Sequence, residues 1–168
     1  YEIGMDHFAL ETDSLYQSFE NGSLHRNFMG YSSSKTQLMI GLGVSSISDS
    51  WYSFAQNEKN IEDYYQLLEW NKLPVVKGHF LTNEDLIIRK HILNLMCQFE
   101  TSWNNTSAYF EELPDVIIHL QEMQNDGLLT VENKTIRIQE KGKPFIRNIC
   151  MAFDLRLKRK IPENQLFS

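Results

Sequence analysis

The tetrapeptide Thr82-Asn83-Glu84-Asp85 opens a helix. A threonine hydroxyl accepts from the backbone N–H three residues on, and an acidic side chain at that position reaches back; Asp stands here where Glu is more usual. Leu86, Ile87, Leu93 and Met96 follow as apolar positions of the same helix. A start this well defined sets a boundary near Leu81. Beyond it, Pro114 begins a second helix with Val116, Ile117, Leu120 and Met123 on its apolar face, ended by Asp126-Gly127. Residues 128–131 and 135–138 read as a hairpin around Glu132-Asn133-Lys134. Gly142 and Pro144 start a last helix expected to bury Phe145, Ile149 and Phe153. Two helices, a hairpin and a flanking helix predict a mainly helical, winged-helix-like unit over residues 81–168 of an α+β chain.

Residues 1–80 are patterned differently. Residues 1–8 alternate Ile3, Met5 and His7 against Glu2, Gly4, Asp6 and Phe8, the period of a short strand. Thr12 and Asp13 offer N-cap oxygens to a helix running to about Asn21, with Gly22 as its left-handed stop. Residues 23–36 are polar, with Ser32, Ser33 and Ser34 in a row, and predict a long loop of the kind that is often functional. Residues 38–42 read as a buried strand entering the turn Gly41-Leu42-Gly43. Ile61, Tyr64, Tyr65 and Leu68 form a helical stripe that Pro74 closes.

Composition excludes several function classes. The net charge of −6 disfavours polyphosphate partners, so no nucleic acid is expected. No apolar run approaches the roughly 20 residues that span a bilayer, and the opening residues lack a secretory leader's basic flank and apolar stretch. That start, with no initiator Met and strand-like residues at once, suggests a piece cut from a longer chain. The two cysteines, Cys97 and Cys150, sit in apolar helical patterns and are expected in the core. Two thiols alone make neither a structural zinc site nor an iron–sulfur site.

Four places could carry chemistry. Asp6 and His7 could be an acid–base pair, but neighbours on a strand face opposite ways, which favours a structural role. The turn at Gly41 and Gly43 would admit a ligand close to the backbone, or would serve only to reverse the chain. His25-Arg26 could receive a carboxylate through the guanidinium fork, or be a solvated loop charge. The basic run Arg156 to Lys160 reads as a solvated helix end whose cations complement the dipole. None is a catalytic constellation.

Four segments in register carry a resemblance: Gly4-Met5-Asp6-His7-Phe8-Ala9, Leu24-His25-Arg26-Asn27-Phe28-Met29-Gly30-Tyr31, Gly41-Leu42-Gly43-Val44-Ser45-Ser46-Ile47-Ser48, and Ile146-Arg147-Asn148-Ile149-Cys150-Met151-Ala152-Phe153-Asp154. With Ala55-Gln56-Asn57 and Leu81-Thr82, they resemble the oxygen-independent coproporphyrinogen III oxidases, radical S-adenosylmethionine (SAM) enzymes of haem biosynthesis. The haem-chaperone paralogues are the nearest alternative. They are similar to Tyr-Glu-Ile-Ser-Asn-Phe-Ala and His-Asn-x-x-Tyr-Trp where this chain has Met-Asp-His-Phe and His-Arg-Asn-Phe. A stand-alone winged-helix binding module is a third reading, against which the acidic charge counts.

The resemblance implies a cytoplasmic enzyme that converts two propionates of coproporphyrinogen III to vinyls, giving protoporphyrinogen IX, with a [4Fe–4S] cluster and SAM. It implies that the cluster's Cys-x-x-x-Cys-x-x-Cys motif lies elsewhere, so that this piece binds no cofactor and is inactive alone. Residues 1–80 are then the last strands and helices of an incomplete β/α barrel, with apolar faces left exposed or paired with another copy, and 81–168 the carboxy-terminal domain. By position, Ile47, just after Gly43, implies a contact with SAM. Phe28 and Met29 imply a loop facing cofactor or substrate; the family often carries Gln where Met29 offers no amide. Arg26 is assigned to a propionate by charge complementarity.

Overall fold

The structure is a computed structural model that describes residues 1–160; residues 161–168 of the expected carboxy-terminal unit lie outside the described residues. The chain opens with two tight hairpins flanking a helix. β1 (Glu2–Gly4) and β2 (His7–Phe8) pair around Met5, which takes a left-handed φ of 56°. The single strand expected over residues 1–8 is thus a hairpin: reversal at Met5 lies outside a period-two reading. α1 (Ser14–Glu20) is capped by the Asp13 carboxylate on Leu15 N and stopped at Gly22, φ 72°, as its end signals imply. β3 (His25–Asn27) and β4 (Gly30–Ser32) replace the long loop expected at 23–36. The Asn27 side chain accepts from Met29 N at 2.8 Å and closes a turn that polar composition concealed.

A three-stranded antiparallel sheet follows. β5 (Ile47–Asp49) and β7 (Val75–Phe80) flank β6 (Ser53–Asn57), with α2 (Ile61–Glu69) between β6 and β7. The strand expected at 38–42 reduces to one bridge, Met39 with Asp49, and Leu38, Ile40 and Leu42 are exposed. Among the described residues no layer buries them. β7 has no alternation because both faces are largely exposed, which hid it from a pattern reading. The stripe of α2 is likewise unburied.

α3 (Asn83–Gln98) begins with the expected reciprocal cap between Thr82 and Asp85. Its deepest residues are His91, Leu95, Met96 and Cys97, while Leu86, Ile87 and Leu93 are half-buried. Phe99 ends it in a left-handed conformation and turns the chain into β8 (Glu100–Ser102). α4 (Leu113–His119) and α5 (Gln121–Asn125) form the second helical segment, burying Val116 and Leu120. β9 (Leu129–Glu132) and β10 (Thr135–Ile138) make the expected hairpin, and β8 pairs with the other edge of β10.

The last helix begins later than expected. Residues 140–145 form a 3-10 stretch around Pro144, then α6 (Ile146–Met151) and α7 (Leu155–Lys160) follow. Phe145 is therefore 48% exposed, and Ile146 takes the buried place beside Ile149 and Phe153. The core is built mainly from residues after 90, yet Ile3 and Leu24 are part of it. The amino-terminal hairpins are thus packed against the helices, whereas residues 37–80 contribute no large apolar side chain to it.

Candidate functional site

α3 presents Asp85, Ile88, Arg89, Ile92 and Met96 along one face, the i, i+3, i+4, i+7 progression. That face, α6 and α7 form one wall of a cavity of about 720 Å³; the opposite wall comes from β3, β5, β6 and β7. Phe28 lies edge-on to Phe54 at 5.0 Å and supplies apolar surface there.

Most charge in the walls is matched. Arg89 reaches Asp49 at 2.7 Å and Trp51 O at 3.0 Å, and lies over the Trp51 ring at 4.5 Å. Arg156 holds Asp85 through both nitrogens of its fork, at 2.9 and 2.7 Å. Arg159 pairs with Glu84 and Glu112. Arg156 and Arg159 of the basic run are therefore paired rather than solvated, because their side chains fall beside the acidic first turn of α3. The Arg156 guanidinium holds the Asp85 carboxyl well below the usual carboxylate range.

Arg26 is different. Its Nη1 is buried without a hydrogen-bond partner among the described residues, while its guanidinium lies over the Tyr31 ring at 4.6 Å. Tyr31 donates to Met96 O at 2.9 Å, and burial pushes its phenol up to about 12. An orphaned guanidinium donor in a cavity wall is a ready anion contact. His79 Nε2, 3.5 Å from Asp85 Oδ2, is a second buried polar atom without a hydrogen bond among the described residues. His25 does not line the cavity; burial, then Lys35 and Arg89, lower its pKa, so it is neutral at pH 7.

The residues expected to bind are brought together only in part. Arg26 and Phe28 line the cavity; Met29 is 84% exposed and does not. Ile47 lies two residues along β5 from Asp49, hence on the sheet face that carries the cavity residues Asp49 and Phe54. Gly43 lies beyond the strand, with φ 99° and nothing within 4 Å of where a Cβ would stand. Asn57 Nδ2 donates to Gly41 O at 3.3 Å and Gly43 O at 2.9 Å, bracing this turn from the sheet. An open, braced turn leading to the half-exposed Ile47 fits a ligand lying against the backbone, as SAM would. Asp6 and His7, expected to point apart, approach to 3.0 Å because Asp6 lies in the turn that leads into β2 rather than beside His7 within one strand. Arg89, His79 and Arg147 went unassigned in the sequence; only the i+4 spacing of Asp85 and Arg89 signalled a shared face.

A cluster finds no seat among the described residues. No group of three His, Cys, Asp or Glu side chains there converges to hold a metal ion. Cys97 and Cys150 are buried, as their apolar flanks imply, and burial pushes their thiols up to about 11 and about 12. A thiolate ligand needs the opposite environment.

No family model matches the chain. It is 39% identical over 166 residues to the oxygen-independent coproporphyrinogen III oxidase of Escherichia coli, covering 94% of this chain and 36% of that protein. It is 34% identical over 175 residues to the Synechocystis oxidase of the same name, covering 99% of this chain and 37% of that one. The solved structure of coproporphyrinogen III oxidase (HemN) from Escherichia coli, described as a radical SAM enzyme, matches with a TM-score of 0.84 at 36% identity. That match covers 92% of this chain and 37% of the other. The chain spans a little over a third of the length of these relatives.

Proposed function

We propose that this chain, which belongs with the oxygen-independent coproporphyrinogen III oxidases as a carboxy-terminal portion of them, forms part of the wall around the reacting centre of such an enzyme. The reaction converts two propionates of coproporphyrinogen III to vinyls with loss of carbon dioxide. SAM and a [4Fe–4S] cluster supply the hydrogen-abstracting radical in that chemistry. This chain's part is placement. Ile47 and the turn at Gly43 lie against SAM, Phe28 and Met29 form the loop facing cofactor or substrate, and Arg26 takes a propionate. Phe28 and Phe54 give the ligand an apolar surface and exclude water.

The observation that carries the reading is the buried, unpartnered Nη1 of Arg26 in the wall of a largely apolar cavity, on a chain of which 94% matches these oxidases. Residues 1–80 are the closing strands and helices of an incomplete β/α barrel, and residues 81–168 a winged-helix-like domain. Apolar residues exposed on α2, β7 and the link between them, Trp70, Leu73 and Val75 among them, meet the rest of the enzyme, or a second copy when the segment stands alone. A cytoplasmic site of action rests on the likeness to these oxidases; no helix among the described residues is long and apolar enough to cross a membrane.

The test is an anaerobic assay of the full-length protein with coproporphyrinogen III, SAM and a reductant. Carbon dioxide and protoporphyrinogen IX are expected from the full-length protein and neither from this segment alone. Stoichiometric haem binding by the full-length protein without decarboxylation would instead establish the haem-chaperone reading.

A further inference from the structure

Five arginines line the cavity: Arg26, Arg89, Arg147, Arg156 and Arg159. Three are neutralised by Asp49, Asp85, and the pair Glu84 and Glu112. The remaining acidic lining residue, Asp154, accepts from Leu157 N at 2.9 Å as a cap of α7. Arg26 and Arg147 are left without a carboxylate among the described residues. They stand on different elements, β3 and α6. Both line the same cavity, as does Cys150, one turn along α6 from Arg147. Between the charged rims the surface is apolar, supplied by Phe28, Phe54, Ile92, Met96 and Met151.

We propose that Arg147 is a second carboxylate-binding residue of this cavity, acting with Arg26, so that the ligand is held by at least two acidic side chains around an apolar body. This rests on the functional assignment above and deepens it: recognition is by the number and spacing of carboxylates, not by one anionic group. A guanidinium fork at each contact fixes the orientation of the ligand in a way a single contact does not. Arg147 is exposed at the rim and makes no hydrogen bond among the described residues, so its replacement spares the fold.

The test is fluorescence titration of the full-length enzyme with coproporphyrin III, the non-reacting oxidised tetracarboxylate, and with its tetramethyl ester. Arg147→Ala should weaken coproporphyrin III binding by about tenfold, the scale of one charge-assisted contact, and leave the weaker ester binding unchanged. Arg147→Lys should restore part of the loss. Arg137→Ala, which removes a surface charge paired with Glu100 away from the cavity, should change neither. In turnover, Arg147→Ala should raise KM while sparing kcat. Unaltered coproporphyrin III binding in Arg147→Ala, with wild-type binding intact, overturns this inference and leaves the functional assignment standing, as does competition by millimolar inorganic phosphate equal to that by a tricarboxylate. Failure of the wild-type enzyme to bind coproporphyrin III or turn over its porphyrinogen overturns the assignment itself.

Discussion

Arg89 on α3 meets Asp49 at the end of β5 at 2.7 Å, with side chains only 13% and 8% exposed. The same guanidinium donates to Trp51 O and lies over the rings of Trp51 and Phe54, so one side chain fastens the three-stranded sheet to the helices across the cavity.

Arg89→Ala leaves the Asp49 carboxylate buried and unpaired. Removing one partner of such a pair costs about 3 kcal/mol. Urea unfolding should show that loss, and hydrogen exchange should quicken in β5, β6 and β7 more than in β9 and β10. Equal quickening throughout would mean that the contact does not hold the sheet in place.

Arg156 and Asp85 give a pH dependence with a definite sign. The folded-state pKa of Asp85 is depressed, so its contribution to stability is fully present above the unfolded value of about 4 and is lost as pH falls below it towards the folded value. Arg156→Ala should cost about 1–2 kcal/mol at pH 7, discounted because Arg156 is half exposed. The gap between wild type and variant in urea midpoint should narrow between about pH 4 and pH 2. A gap constant across that range would deny the pairing its role.

Cys97 and Cys150 should be inert. With thiols pushed up to about 11 and about 12 and both side chains in the core, Ellman's reagent at pH 8 should label neither in the native state. Both should react on addition of denaturant. Rapid native labelling of either would contradict the packing around α3 and α6.

Gly41 has no room for a methyl group. A Cβ there would lie 2.7 Å from Ile47 O and 2.8 Å from its carbonyl carbon, both backbone atoms. Gly41→Ala should cost about 1–3 kcal/mol by overpacking and shift the start of β5, which carries Ile47. SAM affinity of the full-length enzyme should fall with it, whereas Leu42→Ala, at a residue 87% exposed, should be silent in both measurements.

Legibility followed the range of the interaction. The start of α3, the ends of α1 and the hairpin of β9 and β10 were readable because each depends on residues within a few positions of one another. β7 and the hairpin of β3 and β4 were not. β7 is largely exposed on both faces and β3 and β4 are three residues each, so burial impressed no alternation on them, and the turn after Asn27 depends on one side-chain hydrogen bond. Phe145 was misplaced because a 3-10 stretch before the helix rotates it away from the core. At the site, Arg26 was singled out by its charge and Phe28 through the resemblance of its segment, but the pairings that neutralise the other cavity arginines, and so set Arg26 apart, join residues far apart along the chain.

The sequence by itself determined where α1 and α3 begin, most of the side chains that form the core, and the resemblance to the oxygen-independent coproporphyrinogen III oxidases, since caps, turns and motifs are local patterns. Only the tertiary structure decided which arginines are neutralised and which remain available. Asp49 with Arg89 and Asp85 with Arg156 are pairings across 40 and 71 positions. Burial and packing select them, because a charge taken from water must find its counterpart wherever the fold places one.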